Sequence, residues 1–95
     1  MKNDYVQVIL HAIRVYGKRN QTIVAIEEMS ELTKELVKQL RGNSNKASIT
    51  EEIADVEIML CQMKIIYQIK DEDLEKYRVM KLDRLKNKLE GRDNG

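Results

Sequence analysis

The sequence predicts an all-α, four-helix bundle-like fold in a single domain over residues 1–95, and three observations predict it. The chain has no Pro, no Trp and no Phe, and it is rich in Leu, Ile, Glu, Lys, Met and Arg, a mixture that favours helix over sheet. Apolar residues recur at three- and four-residue spacing through four successive segments. Gly17, Gly42 and Gly91 each follow one of those segments, where a helix commonly ends in a left-handed residue.

The first helix is expected from about Asp4 to Tyr16, with Asn3 or Asp4 as its cap. Val6, Ile9, Leu10, Ile13 and Tyr16 form its core stripe, and a second strip of Val8, Ala12 and Val15 faces elsewhere. Asn20 can cap the second helix, which continues to Arg41 with Ile23, Ile26, Met29, Leu36, Val37 and Leu40 on its apolar side. The polar run Gly42-Asn43-Ser44-Asn45-Lys46 reads as a mobile loop. Ser48-Ile49-Thr50-Glu51 matches a capping box, so the third helix should begin near Ile49 and reach about Ile69. Asp71 or a neighbour then caps a fourth helix from about Glu72 to Glu90.

The third helix is the least polar. Its strictly polar stripe is narrow, Thr50, Glu57, Lys64 and Gln68, so it belongs at the centre of the fold. It carries one apolar face of Ile49, Val56, Leu60 and Met63 and another of Ala54, Ile58, Cys61, Ile65 and Ile69. A chain of this size buries only about 60 to 65% of its extended surface. Covering both faces calls for a second chain, so a symmetric dimer or a tetramer is expected.

Seventeen basic residues against sixteen acidic ones leave no bulk charge that would mark a nucleic-acid or membrane partner. A single cysteine, Cys61, excludes an internal disulfide framework, and no apolar run approaches about eighteen residues. With no signal-like start, the chain reads as cytoplasmic. Cys61 suits a small buried hydrophobe better than a nucleophile, and the lone histidine, His11, suits a helix surface or an interface.

Two acidic clusters carry the chemistry. Glu27-Glu28-Met29-Ser30-Glu31 lies on the second helix and Glu52-Ile53-Ala54-Asp55 on the third, which sets Glu28 one turn from Glu31 and Glu52 one turn from Asp55. Glu52 projects among Val56, Met59 and Met63, and Asp55 beside Met59 and Ile66, so neither reads as surface charge. A carboxylate favoured by the helix dipole at an N-terminal turn is the competing reading for that pair. For Glu28 and Glu31 it is a solvated face in which Glu31, Glu35 and Lys38 pair along the helix. If the two helices pack together, four carboxylates converge, and like charges in a helical core need a cation.

The donor set selects the metal. A di-iron bundle needs Glu-x-x-His on two helices, which His11 cannot supply, and zinc would recruit Cys or His. Mg²⁺ or Mn²⁺ fits carboxylate oxygens best, and Mg²⁺ commonly completes its shell with substrate phosphates.

EExxE, about twenty residues, then ExxD, on the second and third helices of a short all-α chain, resembles the MazG-type nucleoside triphosphate pyrophosphohydrolases, and among them the small single-domain phage- or Firmicute-type members. The resemblance covers essentially the whole chain, through YGKRNQ, EEMSEL, EEIADVEIML and KLDRL. It implies a MazG-type fold assembled as a dimer or tetramer, with substrate sites near the subunit boundary. It also implies metal ligands at Glu28, Glu31, Glu52 and Asp55, and Glu27 as an accessory ligand or water-orienting base. The implied reaction cleaves a nucleoside triphosphate between its α and β phosphates, giving the monophosphate and pyrophosphate. Lys81 and Arg84, which stand in KLDRL, are the expected phosphate contacts, with Arg78 near them; stems lying along a solvated face is their other reading. Gln21 is a further substrate-contact candidate, against capping or solvent exposure. The Lys-Tyr-Pro ending that some members carry after the fourth helix is absent. A phosphoribosyl-ATP pyrophosphohydrolase shares the fold and the metal chemistry and is the alternative enzyme. The non-enzymatic alternative is a helical interaction module whose acidic pairs are solvated surface.

Overall fold

A computed structural model of the chain describes residues 3–91. Four helices follow one another, α1 Asn3–Tyr16, α2 Lys18–Leu40, α3 Lys46–Ile66 and α4 Asp71–Leu89, and there is no strand among the described residues. The all-α expectation holds.

Gly17 alone separates α1 from α2. Its φ of +89° turns the chain in one residue, a conformation that a residue with a Cβ resists. Because the turn is so tight, α2 starts at Lys18 and Asn20 lies inside it. Asn20 is therefore not a cap: its Nδ2 donates to the Tyr16 carbonyl at 2.9 Å, satisfying an acceptor that the end of α1 leaves open.

The α2–α3 connection is held more firmly than its polar composition suggested. At the end of α2 the amides of Gly42 and Asn43 donate to the carbonyls of Gln39 and Lys38 at 3.0 and 3.1 Å, the paired bonds of a Schellman motif around a glycine at φ +96°. Asn45 then donates from Nδ2 to the Glu35 carbonyl at 2.8 Å and to Glu35 Oε1 at 3.0 Å. These bonds bring the chain back against α2 early, so α3 begins at Lys46, and the Ser48–Glu51 capping box falls within the helix. Thr50 Oγ1 donates back to the Lys46 carbonyl at 2.8 Å.

Helices α2 and α3 form an antiparallel hairpin, and α1 packs across both. Three cross-links fix its register. Glu35 meets Asn45 near the loop, Glu28 meets Asp55 in the middle, and the hydroxyls of Thr22 and Tyr67 lie 2.9 Å apart at the far end. Ile9, Ala25, Met59 and Ile66 form the buried core. Val6, Leu10 and Ile13 of the expected α1 stripe are half-buried, whereas Tyr16 is exposed.

The apolar side expected for α2 is not the side that α3 covers. Ile23, Ile26, Met29, Leu36, Val37 and Leu40 are all exposed, and the face toward α3 carries Gln21, Ala25, Glu28, Leu32 and Glu35, each buried or half-buried. These five recur at three- or four-residue steps, so they form one continuous seam. Helix α4 differs too. It packs on none of the other three helices, and Leu74 is its one half-buried residue. The expected four-helix bundle is, within one chain, a three-helix unit with a projecting fourth helix.

Candidate metal centre

The seam between α2 and α3 changes from apolar to acidic along its length. Ala25 and Met59 are buried at its middle; one turn further on Glu28 of α2 and Asp55 of α3, and two turns on Glu52 of α3, each bring a carboxylate oxygen within 4.8 Å of the others. Ala25 and Glu28 share a helix face, as do Asp55 and Met59, so the packing that buries the apolar pair also fixes the carboxylates. Glu28 and Glu52 are half-buried and Asp55 is exposed. The cluster is rooted in the hairpin and opens to solvent on the Asp55 side.

Its electrostatics are strained in the direction a cation relieves. Desolvation raises the Glu28 carboxyl above its ordinary range, and a hydrogen bond with Asp55 and the charges of Asp55, Glu52 and Glu31 raise it further. Glu52 is also raised, by desolvation first and then by the charges of Asp55, Glu31, Glu51 and Glu35. Glu52 Oε2 is shielded from solvent and has no hydrogen-bond partner, a costly state for a carboxylate oxygen. An all-oxygen donor set with an orphaned oxygen fits a hard divalent cation.

Of the four carboxylates expected as ligands, the hairpin gathers three. Glu31 stands one turn from Glu28 but outside the group, with its Oε1 3.2 Å from Lys34 Nζ; its charge still reaches Glu28 and Glu52. Glu27 is exposed beside Glu28. Gln21 is 6% exposed, so it does not lie in solvent, and the N-cap position of α2 is taken by Gly17. Because α4 packs against neither α2 nor α3, Lys81 and Arg84 are not brought to the carboxylates of their own chain. Arg78 pairs with Glu75 on α4 itself. His11 is exposed beside an apolar groove formed by Val8, Ala12, Val15 and Tyr16, and Cys61 is half-buried.

Sequence reasoning passed over two seam residues. Glu35 enters the sequence reading only in the competing solvated face, yet its side chain is only 14% exposed, and its carboxyl is lowered first by the hydrogen bond from Asn45 and then by that from Lys38. Gln62 was not singled out, although it is 4% exposed with Oε1 unpartnered. The signal for both was a step of seven, from Glu28 to Glu35 and from Asp55 to Gln62. The chain matches no family model, no curated protein and no solved structure.

Proposed function

We propose that the chain is a metal-dependent nucleoside triphosphate pyrophosphohydrolase with a MazG-type fold, hydrolysing (deoxy)nucleoside triphosphates to the monophosphate and pyrophosphate. The observation that carries this reading is the convergence of Glu28, Glu52 and Asp55, with one Glu52 oxygen desolvated and unpartnered. These three side chains would hold Mg²⁺ or Mn²⁺, which supplies charge neutralisation for phosphate oxygens. Exposed Asp55 gives a phosphate chain access from solvent, half-buried Glu52 anchors the site to α3, and Glu27 orients water from the neighbouring position. Lys81 and Arg84 are the proposed phosphate contacts. As α4 lies away from its own α2 and α3, they serve the site from a second copy in the proposed dimer or tetramer.

A panel of ribo- and deoxyribonucleoside triphosphates, incubated with Mg²⁺ or Mn²⁺ and followed by ³¹P NMR, tests the reading. Pyrophosphate and monophosphate are the expected products. Orthophosphate with a diphosphate, or no turnover of any triphosphate, would reject it. Including phosphoribosyl-ATP in the panel separates the alternative enzyme.

A further inference from the structure

Two lysines of α2 border the carboxylate centre. At a helical step of about 100°, Glu31, Lys34 and Lys38 fall in one sector of about 60°, next to the face that Glu28 and Glu35 turn toward α3. Lys34 Nζ lies 3.2 Å from Glu31 Oε1, and Lys38 Nζ lies 3.1 Å from Glu35 Oε2. The lysine side chains are 65% and 54% exposed, so a solute can reach them.

Stability does not account for these pairs. An exposed ion pair one turn along a helix adds little, because water screens it and two long side chains must be ordered. Position says more. The charge of Glu31 bears on Glu28 and Glu52, and that of Glu35 on Glu52. Each lysine is therefore anchored by a carboxylate that itself borders the cluster, on the side of the α2–α3 loop. The charges of both lysines reach Glu35 in turn.

The centre is also short of positive charge. Glu28, Glu52 and Asp55 gather three carboxylates, a divalent ion offsets two of those charges, and a polyphosphate brings several more. Lys64 sits at the far end of α3 beside Asp71, Lys46 falls about 120° round α3 from Glu52, and α4 packs on neither helix of the hairpin. Lys34 and Lys38 are one turn apart, about 6 Å along the axis, a spacing that successive phosphates of one chain can bridge. An ammonium has three donors on a flexible stem, so it can exchange a carboxylate for a phosphate oxygen without losing a charged partner.

We propose that Lys34 and Lys38 bind the polyphosphate end of the ligand from within the same chain, and that Glu31 is a positioning residue that holds Lys34 beside the cluster rather than a metal ligand. This rests on the polyphosphate chemistry proposed for the carboxylate centre.

Calorimetric titrations test it, first with Mn²⁺ alone and then with inorganic tripolyphosphate in the presence of Mn²⁺. Lys34→Gln together with Lys38→Gln should weaken tripolyphosphate binding by about tenfold or more, as charge-assisted contacts are lost, and leave Mn²⁺ affinity unchanged or higher. Glu31→Gln should weaken tripolyphosphate binding and keep Mn²⁺ binding. Lys64→Gln, which removes the same charge away from the site, should change neither. Undiminished tripolyphosphate binding in the double variant would overturn the proposal, as would a loss no larger than that of Lys64→Gln. Loss of Mn²⁺ binding in Glu31→Gln would overturn the positioning role. Wild-type protein that takes up Mn²⁺ but no tripolyphosphate would overturn both this proposal and the hydrolase reading. Lysine-dependent tripolyphosphate binding without turnover of any nucleotide would uphold the lysine site and reject the hydrolase reading alone.

Discussion

The carboxyls of Glu28 on α2 and Asp55 on α3 meet across the helix pair with oxygens within 4.8 Å of each other, and desolvation, followed by this neighbour, raises Glu28. Glu52, raised mainly by desolvation, has an oxygen in the same cluster. Two carboxyls held above their unfolded values stabilise the fold while protonated, and that contribution is lost as pH rises through their folded values. The metal-free protein should therefore lose melting temperature from about pH 4 toward pH 7 at this site. Glu35 acts in the opposite sense: its lowered carboxyl stabilises above the ordinary range and stops doing so as pH falls. Mg²⁺ or Mn²⁺ should restore stability at neutral pH and have little effect at pH 4, where protons compete for the same oxygens. Thermal melts across pH, with metal and with chelator, check this; a neutral-pH melt indifferent to both ions counts against the metal centre.

Glu52→Gln should separate the three gathered carboxylates from the fourth. Removing a charge from the cluster should raise the metal-free melting temperature at neutral pH and remove most of the metal-dependent increase. A ligand at a hundred times its Kd stabilises by about 2.7 kcal/mol, on the order of 10 °C or more for a domain of this size. Glu31→Gln should keep most of that increase, because Glu31 is paired with Lys34 outside the group. Equal losses in the two variants, read by calorimetric titration with Mn²⁺, would place Glu31 among the ligands after all.

The helices were legible in the sequence because composition and spacing act locally, and the acidic pairs were legible because one-turn spacing puts two carboxylates on one face. Helix starts were less so. Whether α3 begins at Lys46 or Ile49 depends on Asn45 reaching Glu35, ten residues away, and a local capping box does not encode that contact. The seam of α2 was misread for a related reason. Hydrophobicity points to Ile23, Ile26 and Met29, but the face toward α3 is built on Ala25 and Leu32 among the polar Gln21, Glu28 and Glu35, so the strongest apolar stripe is left on the outside. The projection of α4 was hidden as well, since its leucine pattern would look the same whichever chain covered it.

Ala25 sets how closely α2 approaches α3. It is 2% exposed and sits one turn before Glu28, so a larger side chain would push the helices apart where the carboxylates meet. Ala25→Leu should destabilise the fold by about 1–3 kcal/mol and weaken metal binding without touching a ligand. Urea midpoints and Mn²⁺ titration check the two effects. A variant with lowered stability and unchanged metal affinity would show that the cluster does not depend on this packing.

Asn45 ties the start of α3 to α2 at the loop end of the hairpin, so Asn45→Ala should cost about 1 kcal/mol for the bond to the Glu35 carbonyl. It should also release the Glu35 carboxyl from its main lowering influence. A lowered carboxyl stabilises only above its unfolded value, so the loss should be larger at pH 7 than at pH 3. Denaturation at both values checks the sign. Equal losses would mean that the side-chain bond to Glu35 Oε1 has no net effect.

Gln68 and Gly42 occupy the same position after α3 and α2, and only one of them suits it. Gln68 has φ +55° and is the one non-glycine residue with positive φ among those described, while Gly42 has φ +96°. Both close Schellman-type bonds, so the backbone requirement is shared and the side chain differs. A left-handed conformation costs a residue with a Cβ about 1–2 kcal/mol. Gln68→Gly should therefore stabilise the fold, by about 0.5–1 kcal/mol once the greater freedom of glycine in the unfolded chain is deducted. Gly42→Ala should destabilise it by about 1 kcal/mol, from backbone strain alone, because no atom lies within 4 Å of an added Cβ. Urea midpoints moving in opposite directions, with unchanged slopes, are the expected result. A Gln68→Gly variant less stable than wild type would show that the glutamine side chain stabilises the α3–α4 exit by more than its backbone strain costs.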